Sequence, residues 1–259
     1  MSEEKFIEII KKINNTYNII STEEFVLKWN LKKLSKEDVL ITFDDCYKSV
    51  FVATDILVKM KIPALFFVSS DLVEKGFSWT DDIEKIIMHT KKKKFFFNKI
   101  KIDLSIEEKK FQYILVFKKY FQKIPNNFIE KKLRELAFIC EVDPRKINEE
   151  KYRIISWKDL SILNSETLFQ IGHHGHKHFP LSTFSSGSDL LDDINKNIDS
   201  LKQRLNVYPI FFAYPFGGKQ SYKSTDKNFL KKKGFKFAFS TINSEINYNS
   251  NFSIPRKII

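Results

Sequence analysis

The amino-acid sequence predicts an α/β fold built around a parallel sheet. Short runs of β-branched and aromatic residues, long enough for buried strands, alternate along the chain with segments of helical periodicity. Two such runs, at residues 39–43 and 64–68, flank a helical pattern over 48–60. A strand–helix–strand order of this kind is typical of a parallel crossover. With 259 residues, 42% of them hydrophobic, the chain can fill the core of one large α/β domain.

Two helices are expected before the first strand. Apolar residues recur at helical spacing across residues 4–15, at Phe6, Ile9, Ile10 and Ile13. A second, shorter helix is expected from Thr22, a candidate N-cap, to Trp29. The strand at 39–43 ends at two acidic residues, so carboxylates lie at the carboxyl end of a buried strand, where α/β folds hold their chemistry.

The rest of the chain adds three strands after a long insertion. The strands are predicted at 169–172, 210–214 and 235–239, and the helices between them at 188–205 and 223–233. Residues 80–165 are rich in Lys, Glu, Phe, Leu and Ile, with helical periodicity around 106–140. We expect a mostly helical insertion there, with a short hairpin or an extended segment over 94–102.

The chain is strongly basic. It has 44 Lys and Arg against 32 Asp and Glu, a formal net charge of +12. Such an excess of positive charge suggests three kinds of partner: nucleic acid, an anionic membrane surface or an acidic glycan. The lysines are scattered, however, with local clusters only at 91–94 and 231–233, and no nucleic-acid-binding motif accompanies them. We therefore expect solvated lysine-rich faces and no nucleic-acid partner.

No targeting or membrane-spanning segment is expected. The first residues lack a basic region followed by an apolar stretch and a cleavage site, and no apolar run is long enough to span a bilayer. The two cysteines, Cys46 and Cys140, do not form a disulfide framework. The expected compartment is the cytoplasm.

Histidine is concentrated in one short segment. Four of the five histidines lie within residues 173–178, directly after a predicted buried strand. His174 and His178 are four residues apart, so both rings can face one point, as a divalent metal site requires. Imidazole suits zinc, cobalt, nickel or iron. The alternative is a solvated histidine-rich loop without a ligand.

The two aspartates after the first strand complete the candidate site. A catalytic metal needs a third protein ligand and an open position for water. Asp44 and Asp45 are adjacent at a strand end, so their side chains point in different directions. One carboxylate can therefore bind a metal while the other acts as a general base.

These motifs resemble those of the polysaccharide deacetylases, also called the nodulation-protein-B homology group or carbohydrate esterase family 4. Thr42-Phe43-Asp44-Asp45 and His174-Gly175-His176-Lys177-His178 are similar to its first two motifs. Its third motif is similar to Phe212-Ala213-Tyr214-Pro215-Phe216-Gly217. A terminal strand found in one branch of the family is similar to Phe252-Ser253-Ile254-Pro255-Arg256. The resemblance covers about 20–80 and 155–259.

The resemblance implies a distorted, incomplete (β/α) barrel, formed by residues 1–259 as a single catalytic domain with the insertion at about 80–165. It implies Asp45, His174 and His178 as ligands of a divalent metal, Zn2+ first, with Co2+ or Ni2+ as alternatives. The implied reaction is hydrolysis of an N-acyl group, first of all acetyl, from an amino sugar of a polysaccharide or glycan precursor. Asp44 is then the catalytic base, and the backbone N–H of Phe216 helps to hold the oxyanion.

The chain departs from the family pattern at several positions. Ala213 stands where many members carry an arginine that orients the base, and Arg256 is expected to replace it by reaching Asp44 from the last strand. No histidine follows His178 to protonate the leaving amine, so Asp44 could return its proton instead. Cys46, at a usual glycine position, is expected to be a packed small residue, with a thiol near the metal as the alternative. The usual strand before the first helix is not expected.

Further residues are expected around the cluster. Tyr214, Pro215 and Phe216, from the third motif, are expected to bind substrate. Trp79, with Asp81 and Asp82 beside it, is expected to line the groove, because sugars stack on aromatic faces. His173 and His176 are expected to be structural.

Two other functions stay open at this point. The same metal site could hydrolyse a small cyclic amide or a formamide, which would favour a closed pit over an open groove. A binding protein that kept the fold but lost efficient catalysis would bind metal or glycan without turnover. The sequence makes no prediction of oligomeric state.

Overall fold

The computed structural model describes residues 2–259. Its strands are β1 (Asn18–Ile19), β2 (Asp38–Val39), β3 (Thr42–Phe43), β4 (Ala64–Val68), β5 (Lys94–Phe97), β6 (Ile100–Asp103), β7 (Phe169–His173), β8 (Phe211–Ala213), β9 (Phe237–Ser240) and β10 (Ile254–Pro255). Its α-helices are α1 (Glu3–Thr16), α2 (Thr22–Asn30), α3 (Ser49–Lys59), α4 (Ser70–Lys75), α5 (Trp79–His89), α6 (Glu107–Phe121), α7 (Asn126–Cys140), α8 (Trp157–Ser165), α9 (Gly187–Leu205) and α10 (Ser224–Lys232).

The centre of the molecule is a six-stranded parallel sheet in the order β3-β4-β7-β8-β9-β10. The sheet curls into a half-barrel, so the predicted α/β fold with an incomplete barrel is confirmed. The predicted strand at 39–43 is interrupted: β2 pairs with β1, and β3 pairs with β4. The β1 strand, which was not predicted, lies between α1 and α2.

The two faces of the sheet pack against different partners, as side-chain alternation along a strand requires. On β4, Leu65 and Phe67 point into the concave side, where Phe25 and Trp29 of α2 fill the space between them and the neighbouring strands. Phe66 of the same strand belongs to the opposite core, beneath α1, α3, α8 and α9. Helix α2 therefore packs inside the curled sheet and stabilises its curvature.

The segment between β4 and β7 is built from helices and one hairpin. The hairpin pairs β5 with β6 in antiparallel register, and its Phe97 packs on Phe117 and Phe121 of α6. The predicted periodicity around 106–140 forms two helices, because Pro125 interrupts it and stands at the N-cap of α7. Helices α6 and α7 both contact α5, which carries the segment back to the sheet.

Two smaller features complete the description. The prediction of Thr22 as N-cap of α2 is wrong: Ser21 holds that position, and its hydroxyl accepts the N–H of Glu24 at 3.2 Å. Within residues 2–259, no helix combines the length and the apolar composition needed to cross a membrane.

Candidate active site

The candidate site lies at one edge of the curled sheet. Asp44 and Asp45 follow β3, His174 follows β7, and Arg256 follows β10. Because these strands run parallel, their carboxyl ends meet at the same edge. The sheet therefore brings together residues that are up to 212 positions apart in sequence.

Asp45, His174 and His178 form a compact cluster. The Oδ1 atom of Asp45 lies 2.9 Å from Nε2 of His178 and 3.4 Å from Nε2 of His174. One ligand atom from each of the three residues lies within 4.8 Å of the others. Both imidazoles are buried, and the carboxylate is half-buried. Two nitrogens and one carboxylate oxygen form a donor set that suits Zn2+ and leaves further coordination positions open.

The local hydrogen bonding fits a bound cation. Oδ1 of Asp45 is buried without a hydrogen-bond partner, although it faces two imidazole nitrogens. Nδ1 of His174 lies 2.7 Å from the carbonyl oxygen of Ala213, which fixes the ring so that Nε2 faces Asp45. A divalent cation between these atoms would satisfy the carboxylate oxygen, which is otherwise costly to bury.

The electrostatics of the cluster also favour a cation. Burial alone would raise the pKa of Asp45, but the charge of His178 and the contacts with both imidazoles hold it well below its ordinary value. Burial opposes charge on His174 as well, yet Asp44 and Asp45 together raise its pKa. The cluster therefore attracts positive charge.

Asp44 is held by Arg256. Nη1 and Nη2 of Arg256 each donate to one carboxylate oxygen of Asp44 at 2.7 Å, and Nη1 also donates to the hydroxyl of Thr42 at 3.1 Å. The guanidinium carbon lies 5.3 Å from the ring centroid of Phe67. Asp44 Oδ2 is 3.7 Å from Nε2 of His174, so the oriented carboxylate stands beside the cluster.

Four residues at this site have a strained backbone conformation. Asp45, Cys46, His178 and Phe216 all have positive φ values, between 54° and 66°. A non-glycine residue in this region costs roughly 1 kcal/mol or more. The surrounding packing must therefore hold the backbone of two candidate ligands, Asp45 and His178, in this conformation, which fixes where their side chains point.

The histidine loop is supported from behind by α9. Buried Asp193 accepts the backbone N–H groups of His176 at 2.8 Å and Lys177 at 3.1 Å. His173 is fully buried, and its Nε2 donates to the carbonyl of Ile194 at 3.1 Å. Burial lowers the pKa of His173 to about 3, so this ring is neutral. Sequence reasoning missed Asp193, because nothing in a helix 15 residues downstream marks it as a partner of the loop.

Two of the side chains expected to contact substrate are buried in the structure. Tyr214 is fully buried, stacks on Tyr222 and donates its hydroxyl to the carbonyl of Phe252 at 3.1 Å, so its side chain does not reach a substrate. Trp79 is only 8% exposed, and its indole N–H donates to the carbonyl of His178 at 3.2 Å. Its ring supports the ligand loop instead of lining a groove at the cluster.

Phe216 remains at the cluster. Its half-buried ring lies 4.8 Å from the ring of His178, and no acceptor within residues 2–259 takes its backbone N–H. Pro215 is buried beside the histidine loop. Cys46 is buried, with Sγ 3.5 Å from the carbonyl of Phe67, and burial raises the pKa of its thiol. That thiol is a neutral packing group.

A second carboxylate lies near the site. The hydroxyl of Tyr47, two residues after Asp45, lies within 3.0 Å of both carboxylate oxygens of Asp81 and donates to them. Burial raises the pKa of Asp81 to about 7. Asp82, by contrast, faces away and pairs with Arg145.

A cleft of about 960 Å³ lies between α5 and α7, next to the histidine loop, since Lys177 and Phe179 are among its lining residues. Phe77, Trp79, Leu133 and Arg145 are among its lining residues, and none of the cluster residues lines it. This cleft therefore does not decide between an open groove and a closed pit at the cluster.

Comparison with known proteins identifies the family that these features resemble. Residues 118–238 match the family model of the polysaccharide deacetylases. The matched range includes the histidine motif and residues 212–217, whereas Asp44 and Asp45 lie before it. The resemblance inferred from the motifs is therefore confirmed. No curated protein matches the chain in sequence.

Solved structures of deacetylases share the fold of nearly the whole chain. The deacetylase PplD of Streptococcus pyogenes, in complex with acetate, has a TM-score of 0.60 and 17% identity over 98% of this chain and 79% of its own. IcaB from Ammonifex degensii has a TM-score of 0.59 and 17% identity, and the match covers 100% of this chain and 84% of IcaB. A de-N-acetylase from Aggregatibacter actinomycetemcomitans has a TM-score of 0.52 and 14% identity, and the match covers 96% of this chain and 82% of that protein. At these identities the likeness shows the fold.

Proposed function

We propose that this protein is a metal-dependent deacetylase that removes the acetyl group from an N-acetylated amino sugar of a glycan or glycan precursor. The observation that carries the proposal is the Asp45–His174–His178 cluster beside a carboxylate, Asp44, that Arg256 holds in a fixed plane. The substrate class is supported by the family model and by the names of the structures that share the fold.

Asp45, His174 and His178 would hold the metal. A divalent metal here supplies Lewis-acid polarisation of the amide carbonyl and lowers the pKa of a bound water. The chain's own contribution is to orient these ligands: Ala213 fixes the ring of His174, and Trp79 binds the backbone of His178. We assign Zn2+ first, with Co2+ or Ni2+ as alternatives.

Asp44 is assigned as the general base. Its carboxylate lies next to His174, so it can accept a proton from a water attacking a carbonyl at the cluster. The bidentate contact with Arg256 occupies one edge of the carboxylate and fixes its plane. We assign the return of this proton to the leaving amine to Asp44 as well, because its carboxylate would hold the proton beside the cluster.

The developing negative charge needs a donor from the protein. The free N–H of Phe216, in a strained turn that also places its ring beside His178, is the group we assign to this role. Gly217 must follow it in this turn, since its φ is 63° and an added Cβ would lie 2.7 Å from the amide nitrogen of Thr241.

The proposal is tested by acetate release from a panel of N-acetylhexosamine oligomers. The protein is stripped with a chelator and reloaded with zinc, cobalt or nickel. We expect metal-dependent release that Asp44→Asn and His174→Ala abolish. His89→Ala, which changes the one histidine outside residues 173–178, and Asp55→Asn, on the exposed face of α3, are matched controls that should keep activity.

Metal content separates the possible failures. Asp44→Asn should bind metal as the wild type does, because Asp44 is not one of the three ligands. If the wild-type protein binds metal at the cluster but releases no acetate from any oligomer, the glycan proposal is wrong. A small-amide substrate, or a glycan-binding protein without turnover, would then be favoured.

A further inference from the structure

The basic charge of the chain is not evenly distributed. Residues 91–140 contain fourteen Lys and Arg against five Asp and Glu, a net charge of +9 out of +12 for the whole chain. This segment comprises the β5–β6 hairpin, α6 and α7. About a fifth of the chain therefore carries three quarters of its net positive charge.

The same segment exposes large apolar side chains. The chain has 26 phenylalanines, and the exposed ones in residues 2–259 all lie here, at Phe96, Phe111, Phe128 and Phe138. On the solvent face of α6, Phe111, Leu115 and Val116 are 59%, 61% and 54% exposed. A surface helix normally carries polar residues on this face. The opposite face of α6 is buried, so this helix is apolar on both sides.

The hairpin lies alongside α6 and has the same composition. Phe97 packs on Phe117 at a centroid distance of 5.4 Å, which joins the two elements. On the outer face of the hairpin, exposed Phe96 stands opposite Lys101, and Ile100 is exposed near the turn. Several lysines here have no carboxylate partner within residues 2–259, namely Lys91, Lys93, Lys99, Lys101, Lys119 and Lys123.

We propose that the exposed side chains of the β5–β6 hairpin, the solvent face of α6 and Lys123 just after that helix, here called the basic apolar surface, bind the surface of an anionic phospholipid bilayer. Apolar side chains would enter the acyl boundary, while the long lysine side chains reach the phosphate groups above it. Unpaired lysines are attracted to an anionic leaflet by about 1 kcal/mol each. This inference does not rest on the proposed deacetylase function.

The composition favours a bilayer over other partners. Single-stranded nucleic acid is bound by aromatic rings that stack on bases. Phe96 and Phe111 offer such rings, but the equally exposed Ile100, Leu115 and Val116 do not. A second copy of the chain would place two net positive surfaces against each other, and like charges oppose that contact. An anionic bilayer matches both the aliphatic side chains and the positive charge.

Flotation of the intact protein with lipid vesicles tests the proposal. Vesicles of phosphatidylcholine alone are compared with vesicles that also contain phosphatidylglycerol, at low and high salt. We expect binding only to the anionic vesicles and weaker binding at high salt. The double variant Lys119→Gln/Lys123→Gln should lower the partition coefficient about 25-fold, at about fivefold per lysine. Phe111→Ser/Leu115→Ser should also abolish or strongly reduce binding.

Matched controls remove similar groups elsewhere. Lys231→Gln/Lys232→Gln removes the same number of positive charges from α10. Ile162→Ser removes a half-exposed apolar side chain from α8. Both should bind vesicles as the wild type does, and circular dichroism checks that every variant is folded. Equal binding to both vesicle types, wild-type binding by the α6 variants, or loss in the controls would overturn the proposal. Tighter binding of an oligonucleotide than of anionic vesicles would also overturn it.

Discussion

Asp44 and Arg256 show how a single pair of side chains can set the orientation of a reactive group. The guanidinium binds both carboxylate oxygens, and it is itself held by Thr42 and the ring of Phe67. Position 213 holds alanine, whose side chain cannot supply a guanidinium there, while its backbone carbonyl fixes His174. The orienting group thus comes from the last strand of the sheet.

Replacing Arg256 should slow the reaction more than it weakens substrate binding. Lysine keeps the charge but cannot make the bidentate contact, so Arg256→Lys leaves Asp44 free to rotate. We expect kcat to fall by about 100-fold in Arg256→Gln, with partial recovery in Arg256→Lys and a smaller change in KM. Steady-state kinetics over a range of pH measures both constants. Arg153→Gln, a surface arginine, is the control; an unchanged kcat in Arg256→Gln would show that the pair is only structural.

Asp81 should make the stability of the protein depend on pH near neutrality. Burial raises its pKa from 3.8 to about 7, so the folded state favours the protonated carboxyl. Its stabilising contribution is complete below pH 3.8 and is lost as the pH rises through 7. The free energy of unfolding of Asp81→Asn, relative to wild type, should therefore rise by about 1.4 kcal/mol per pH unit in this window. Urea titrations from pH 4 to 8 measure it, and a difference that did not change with pH would contradict the assignment.

At the scale of elements, the periodicity of apolar residues predicts where helices begin and end, but it does not predict which strands pair with each other. The apolar spacing located α1, α3 and α9 to within one or two residues, because one face of each helix is buried continuously. The run at 39–43 looked like one strand, but its two ends pair with different neighbours. No local pattern in the sequence carries that information.

The histidine loop is an element whose shape depends on α9. Asp193 accepts two consecutive backbone N–H groups of the loop between His174 and His178. Asp193→Ala removes both contacts, so the two imidazoles should no longer be held for one metal ion. We expect metal affinity to fall by about 10- to 100-fold.

Calorimetric titration of the stripped protein with zinc measures this loss. Asp192→Ala is the matched control, because Asp192 lies on the same helix but is exposed and pairs with Lys196. Wild-type zinc affinity in Asp193→Ala would show that the strained loop holds its shape without α9. Equal losses in both variants would indicate a general effect on the helix.

At the scale of the whole molecule, the sequence predicted the residues of the cluster but not how they are supported. His174 and His178 were found because histidine is rare and clustered, and Asp44 and Asp45 because they end a strand. The contacts of Trp79 with His178, Ala213 with His174 and Asp193 with the loop join segments 17 to 99 residues apart. Trp79 was placed at the substrate for its residue type and Tyr214 because it belongs to the third motif, whereas the fold buries both side chains.

Because the ligands come from β3 and the loop after β7, metal binding should stabilise the fold as a whole. A metal that binds only the folded state, present at 100 times its dissociation constant, adds about 2.7 kcal/mol to the free energy of unfolding. For a chain of this size that corresponds to a rise in Tm of about 5–10 °C. Thermal unfolding after chelation and after reloading with zinc measures the shift.

The cluster residues should account for the whole of this shift. His178→Ala removes a ligand but leaves β3 and β7 paired through β4, so the variant should fold and show almost no change in Tm when zinc is added. His89→Ala should keep the full shift, because that ring lies in α5 and pairs with Glu149. If zinc stabilised both variants equally, the metal would bind elsewhere and the assignment of Asp45, His174 and His178 would be wrong. A shift confined to proteins with an intact cluster would instead show that one ion joins the two sheet-end segments that the fold brings together.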